Sequence, residues 1–148
     1  MGTYTKKYKT SALEIITECS ILPAVDKIYK DNLPPIVAVK KALWDTGSNT
    51  TVISSEIVEK LKLKPNGAVV VSGINSLKEE KTYAIHVLLP TGNIASYVEA
   101  IENDCLEHDV IIGMDVISKG DFAVTNEGGE TYFSFRFPSE KHVDFEQE

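Results

Sequence analysis

The sequence predicts an all-β domain, a barrel or a sandwich, with two minor helices. Three observations carry that expectation. Short apolar runs recur along the chain with the two-residue alternation of half-buried strands. Clusters of Gly, Asn and Pro separate them, as turns require. Only two stretches, after Ser54 and after Gly113, have the spacing or the length of a short helix.

The elements follow in order. Residues 13–22 and 35–44 are rich in Ile, Val and Leu and read as strands joined by a long polar connection containing Pro23, Asp26, Asn32 and Pro34. Ser54 is placed to cap a helix whose Ile57, Val58 and Leu61 share a face, and Pro65-Asn66-Gly67 stops it. The Lys60-Leu61-Lys62-Leu63-Lys64 alternation reads as its solvated end. Residues 68–72 and 82–89 are strand-like, the second with Tyr83, Ile85, Val87 and Leu89 on one side and Ala84, His86 and Leu88 on the other. Residues 73–81 between them form a polar connection with two apolar residues near its tip. Pro90-Thr91-Gly92-Asn93 turns the chain into a strand at 94–101. After a polar loop come Val110-Ile111-Ile112-Gly113, one or two helical turns ended by Gly120, and a hairpin over Glu127-Gly128-Gly129-Glu130. Phe133, Phe135 and Phe137 share the buried face of the last strand, and residues 139–148 read as a frayed polar tail. One domain at 1–138, strand-rich from about residue 11, and a tail is therefore the expected organisation.

A length of 148 residues suits a single core, and 43% hydrophobic with 25% charged residues is ordinary for a soluble domain. No apolar run approaches a membrane span, so no membrane partner is expected. The formal charge of −7 lacks the clustered Lys and Arg that nucleic acid demands. Lys6, Lys7 and Lys9 are not followed by an apolar segment, so the N-terminus does not read as a secretory signal and cytoplasmic residence is the default expectation. Cys19 and Cys105 match no metal-ligand spacing and read as buried free thiols. His86, His108 and His142 are scattered, so neither a metal nor a cofactor is expected.

Chemistry concentrates in Trp44-Asp45-Thr46-Gly47-Ser48. An Asp at the end of an apolar strand, followed by a hydroxyl residue and a glycine that permits a tight turn, places a carboxylate where backbone donors converge. Downstream lie a hairpin with Gly73 near its tip and then Ile111-Ile112-Gly113 before a short helix. In that order the chain resembles the retropepsin-like aspartic proteases, the single-domain relatives of pepsin, from about residue 13 to 137.

The resemblance implies a closed acid-protease barrel with one or two short helices, active as a symmetric homodimer. It makes Asp45 catalytic and Thr46, Gly47 and Ser48 its supporting loop, with the Thr46 hydroxyl bonding across to the partner's loop. Ile111, Ile112 and Gly113 would buttress that loop, and Gly73, Ile74 and Asn75 would form the tip of a flap closing over a bound peptide. Leu43, Val52 and Ile111 fall where the family lines its substrate pockets. Two departures stand out. The Arg that retroviral members place after the buttress Gly, and its acidic partner, are here Met114 and Asn49, so the pair is lost from both ends and no charge is orphaned. Ser48 is the pepsin-like choice where many retroviral members carry Ala.

One Asp-Thr-Gly supplies one carboxylate, and peptide hydrolysis by this route needs two that share a proton. The expected protein is thus an aspartic endopeptidase whose homodimer holds one site, acting on a peptide or protein substrate with a bell-shaped, acidic pH profile. Ser48 is expected to donate its hydroxyl to the ionised pair, while Asp115 and Asp121 read as helix-end and turn residues. Two other readings stand beside this one: a dimeric peptide-binding module of the same fold without turnover, and a phosphate loop like that of sugar kinases, which the short chain disfavours.

Overall fold

The computed structural model describes residues 1–72, 75–104 and 107–148. Ten strands and two short helices account for most of them: β1 (Gly2–Lys7), β2 (Ile15–Pro23), β3 (Val37–Trp44), β4 (Val52–Ile53), α1 (Ser55–Lys60), β5 (Gly67–Ser72), β6 (Leu77–Leu88), β7 (Ile94–Glu102), β8 (Val110–Ile112), α2 (Met114–Ile117), β9 (Asp121–Glu127) and β10 (Glu130–Phe137). Six of them close on themselves. The larger sheet runs β2-β3-β8-β4-β7-β6-β5, and β6 also pairs back onto β2 through Ser20↔Leu88 to Pro23↔Ile85. The result is the barrel, which removes open edges from its wall.

Alternation fills that barrel. Ile21, Ile53, Ile85, Val87, Ala100, Val110 and Ile112 are wholly buried and point inward. Their neighbours one residue along take the opposite face, where Leu22, His86 and Ile111 are buried under other parts of the chain. Two pairings, β3 with β8 and β4 with β7, are parallel. They bring the end of β3, and therefore Asp45, beside the end of β8.

The second sheet, β1-β10-β9, covers one end of the core. Phe133 and Phe135 of β10 are buried as their alternation predicts, and pack with Phe122 around Trp44, at ring-centroid distances of 5.0 Å for Phe133 and 4.8 Å for Phe135. Trp44 Nε1 donates to Thr17 Oγ1 at 2.8 Å, so the residue before Asp45 is fixed by both packing and a buried hydrogen bond. Gly128 and Gly129, at φ 61° and 79°, form the two-residue turn between β9 and β10, and Gly92, at φ 89°, the turn between β6 and β7.

Three local features differ from the sequence expectation. The first seven residues, read without a strand, form β1 on β10, with Thr3↔Arg136 and Thr5↔Ser134 among the pairs. Both terminal strands are thus engaged within one chain. Ser54 precedes α1, but among the described residues its buried hydroxyl has no partner, and Asp104 instead accepts from Ser55 N at 2.8 Å and Ser55 Oγ at 2.5 Å. The tail is tied down where it begins: Ser139 Oγ and Glu140 N donate to the Asp121 carboxylate at 2.6 and 2.8 Å, and Phe145–Gln147 makes a single 3-10 turn.

Cys19 is a buried free thiol, and burial pushes it up to about 12, so it stays protonated at neutral pH. Cys105 lies outside the described residues. His86 is buried and hydrogen-bonded, in the satisfied role its strand position suggests.

Candidate active site

Asp45 follows directly on β3, where the anchored Trp44 ends the strand. Its backbone N donates to the Ile112 carbonyl at 2.9 Å, and the Ser48 N donates to its own carbonyl at 3.2 Å, closing a tight turn. Inside that turn the Gly47 N donates to Asp45 Oδ1 at 2.8 Å. A carboxylate held this way keeps its second oxygen for other work. A Cβ on Gly47 would stand 3.2 Å from Oδ1, so a larger residue would crowd that carboxylate. Thr46 and Gly47 are exposed, and among the described residues no hydrogen bond uses the Thr46 hydroxyl.

The loop is braced from β8 and α2. Met114 N donates to the Ser48 carbonyl at 2.7 Å and Gly113 N to Thr51 Oγ1 at 3.3 Å. A Cβ at Gly113 would meet the Thr50 backbone at 2.7 Å and the Ser48 carbonyl at 2.9 Å, so glycine is needed there for space. Asp115 completes the brace: its carboxylate accepts from Thr51 N at 2.9 Å and Thr51 Oγ1 at 2.8 Å. This residue was read from sequence as a helix-end acid. It does sit in the first turn of α2, where it also accepts from Val116 N at 3.0 Å, but it reaches across to the loop as well. No sequence spacing marks that role, because 64 residues separate the partners.

Ser48 behaves differently from its expected part. Its hydroxyl donates to the Thr50 carbonyl at 2.7 Å, so its one proton is used inside the loop and is not offered to Asp45.

A cleft of about 1020 Å³ opens above Asp45. Its floor is a single row of cross-strand neighbours: Ile101 on β7 pairs with Val52 on β4, Val52 with Ile111 on β8, and Ile111 with Leu43 on β3. Val52, Ile111 and Ile101 line the cleft, whereas Leu43, at the row's far end, does not. Over it hangs a two-stranded ribbon, β5 with the first half of β6, from Gly67↔Thr82 to Ser72↔Leu77. Val69, Val70 and Val71 of that ribbon border the cleft and are exposed in the single chain. Gly73 and Ile74, expected at a flap tip, lie outside the described residues, while Asn75 is an exposed bend residue just before β6. Tyr97 and Glu99 on β7 also border the cleft, and nothing in the sequence marked them. Among the described residues no three His, Cys, Asp or Glu side chains gather as a metal ion would require.

Comparison with known proteins identifies the family and the fold. The family model described as aspartyl protease matches residues 37–116, which span the Asp45 loop, the ribbon and the Gly113 brace. The fold is similar to the crystal structure of a retropepsin-like aspartic protease from Rickettsia conorii, at TM-score 0.52 and 13% identity, over 89% of this chain and 91% of that one. The retroviral protease-like domain of Ddi1 from Leishmania major overlays at TM-score 0.46 and 16% identity, over 83% and 95%. No curated protein matches the sequence.

Proposed function

Since this chain belongs to the aspartyl protease family and has a retropepsin-like fold, we propose that it is an endopeptidase whose site is completed by two copies, each giving one Asp45. The observation that carries the reading is the Asp45 carboxylate itself. Among the described residues it is held by Gly47 N alone, on an exposed turn at the mouth of a mostly apolar cleft.

The chemistry follows from two such carboxylates facing one another. Like charges a few ångströms apart hold one proton between them, so one group is a base and the other an acid. The ionised Asp45 takes a proton from water, whose oxygen attacks the peptide carbonyl carbon. The protonated Asp45 of the other copy gives its proton to the carbonyl oxygen. Collapse of the tetrahedral intermediate breaks the C–N bond: the amine leaves with the proton first taken from water, and a hydroxyl proton of the intermediate returns to the carboxylate that gave one, so the pair again shares a single proton. The exposed Thr46 hydroxyls are suited to tie the two turns together, and the β5–β6 ribbon is suited to cover the substrate.

Incubation of the protein with an unbiased peptide library at acidic and neutral pH, with and without pepstatin, tests this reading. Pepstatin-sensitive cleavage that disappears in Asp45→Asn is the expected result. A dimeric binding module without turnover would retain library peptides and leave them intact, and that result would contradict the proposal.

A further inference from the structure

The apolar floor of the cleft accommodates many side chains and selects weakly among them. Selectivity has to come from its charged and polar border. Three carboxylates and one ammonium line it among the described residues: Asp45, Glu99, Asp115 and Lys119. Asp45 is the reacting group, and Asp115 is bound to Thr51. Glu99 is exposed, and among the described residues it makes no hydrogen bond and no ion pair, with Lys119 or any other group. Its partner across β6 is Ala84, a methyl group that leaves the carboxylate uncrowded.

Beside it stands Tyr97, which the fold holds in an unusual way. Its φ is 53°, a left-handed conformation that costs energy for a residue with a bulky side chain. Three contacts keep it there. Its N donates to His86 Nδ1 at 3.1 Å, its ring meets the buried His86 ring edge-on at 4.8 Å, and its hydroxyl donates to Asp26 Oδ1 at 2.6 Å. On the other side of the ring, His86 Nε2 lies 2.9 Å from the Val25 carbonyl and 3.1 Å from Val25 N, so the imidazole is held from both edges. The ring of Tyr97 is thus fixed at the cleft border, 56% exposed, with its hydroxyl proton already given to Asp26 and not to Glu99.

We propose that Glu99 and Tyr97 form a subsite for a basic side chain, so that the substrate class is a polypeptide with Lys or Arg at a fixed distance from the scissile bond. This inference rests on the peptidase reading and names the specificity of that same cleft. The Glu99 carboxylate pairs with the ammonium or guanidinium, and the fixed ring packs against the alkyl stem or the guanidinium plane.

The distance can be read from the sheet. Ile101 lies in the same cross-strand row as Leu43, and Glu99 and Asp45 each lie two residues from that row toward the same end. Three strand spacings separate β7 from β3, about 14 Å along the curved wall; the straight path is shorter, so an extended peptide reaches from Asp45 to Glu99 within about four residues.

Two readouts test this and keep it separate from the peptidase reading. The first is the cleavage profile of wild type, Glu99→Gln and Glu99→Lys on a library varied at every position. Wild type is expected to enrich Lys and Arg at one position within about four residues of the bond. Glu99→Gln should lower that enrichment roughly three- to tenfold while the rest of the profile stays, and Glu99→Lys should turn it toward Asp and Glu. The second is binding of labelled peptides to the Asp45→Asn protein, with Lys or norleucine at that position. The Lys peptide should bind more tightly, by a margin that shrinks with added salt. Cleavage without basic enrichment, or enrichment indifferent to Glu99→Gln, overturns the subsite and spares the peptidase. No cleavage with the Lys preference intact in binding overturns the peptidase and spares the subsite. Loss of both overturns both.

Discussion

The Asp115 carboxylate takes both hydrogen-bond donors of Thr51, the backbone N at 2.9 Å and the hydroxyl at 2.8 Å. Thr51 is wholly buried and its hydroxyl in turn accepts from Gly113 N, so one carboxylate joins α2, β8 and the loop that carries Asp45. This junction occupies the place where the sequence, with Met114 and Asn49, has no ion pair. A neutral hydroxyl and a single charge do the bracing.

Removing that carboxylate takes the acceptor from both donors of the wholly buried Thr51. Asp115→Ala is expected to cost roughly 2–4 kcal/mol of folding stability, since each unsatisfied buried donor costs about 1–3 kcal/mol. Asp115→Asn keeps one acceptor oxygen and should cost about 1 kcal/mol. Urea unfolding of the two variants checks the order. An Asp115→Ala midpoint equal to wild type would mean that the junction holds nothing.

Gly113 tests the brace by space. A methyl group there meets the Thr50 backbone at 2.7 Å and the Ser48 carbonyl at 2.9 Å, so Gly113→Ala must displace the loop. The stability cost should be about 1–3 kcal/mol, as for other overpacked sites. Turnover should fall further, on the order of a hundredfold, because a shift of about 1 Å at a reacting group is enough for that. Comparing kcat/KM with the unfolding midpoint separates the two effects, and an activity loss no larger than the loss of folded protein would contradict the loop's positioning role.

Ser48 gives a prediction opposite to the one its residue type suggests. Its proton is donated to the Thr50 carbonyl at 2.7 Å, so it does not stabilise an ionised Asp45 pair. Ser48→Ala should therefore leave the acidic limb of the pH–rate profile in place and cost about 1 kcal/mol of stability. An acidic limb displaced upward in pH would restore the hydroxyl to the carboxylates.

How much of this was legible beforehand depended on how local each signal was. The strand into Asp45, the turns at Gly92 and Gly128-Gly129, and the buried Phe133 and Phe135 are written in neighbouring residues, and the structure places them as read. β1 was missed because its alternation is Thr with Tyr and Lys, and its partner β10 lies at the other end of the chain. The stretch of β6 at Leu77–Lys81 was missed for another reason: the ribbon stands clear of the core, so most of its residues are exposed and no apolar period remains to be seen. Leu43, Val52 and Ile111 were named together and do share one cross-strand row, but Ile101 of the same row was not. The parallel pairings that build the row join distant segments, and single-strand patterns do not carry them.

The tail anchor yields a pH prediction. The Ser139 hydroxyl, then the Glu140 N and the Arg136 guanidinium, hold the Asp121 carboxyl well below the usual carboxylate range. A folded-state value below the unfolded one means that the stability it contributes is fully present above the unfolded value, near 3.9, and is lost only as pH falls through the lower, folded value. The Asp121 carboxyl carbon resonance should stay flat from neutral pH down to about pH 3. Asp121→Asn should free Glu140, seen as faster amide exchange at that residue. An Asp121 that titrates in the ordinary range would refute the anchor.

The central claim is that one site needs two copies of Asp45, and specific activity measured against protein concentration, beside the mass of the particles in the same samples, tests it most directly. The account predicts that activity per milligram falls on dilution in step with the loss of dimers and vanishes in lone protomers. Lone protomers that keep full specific activity would contradict it.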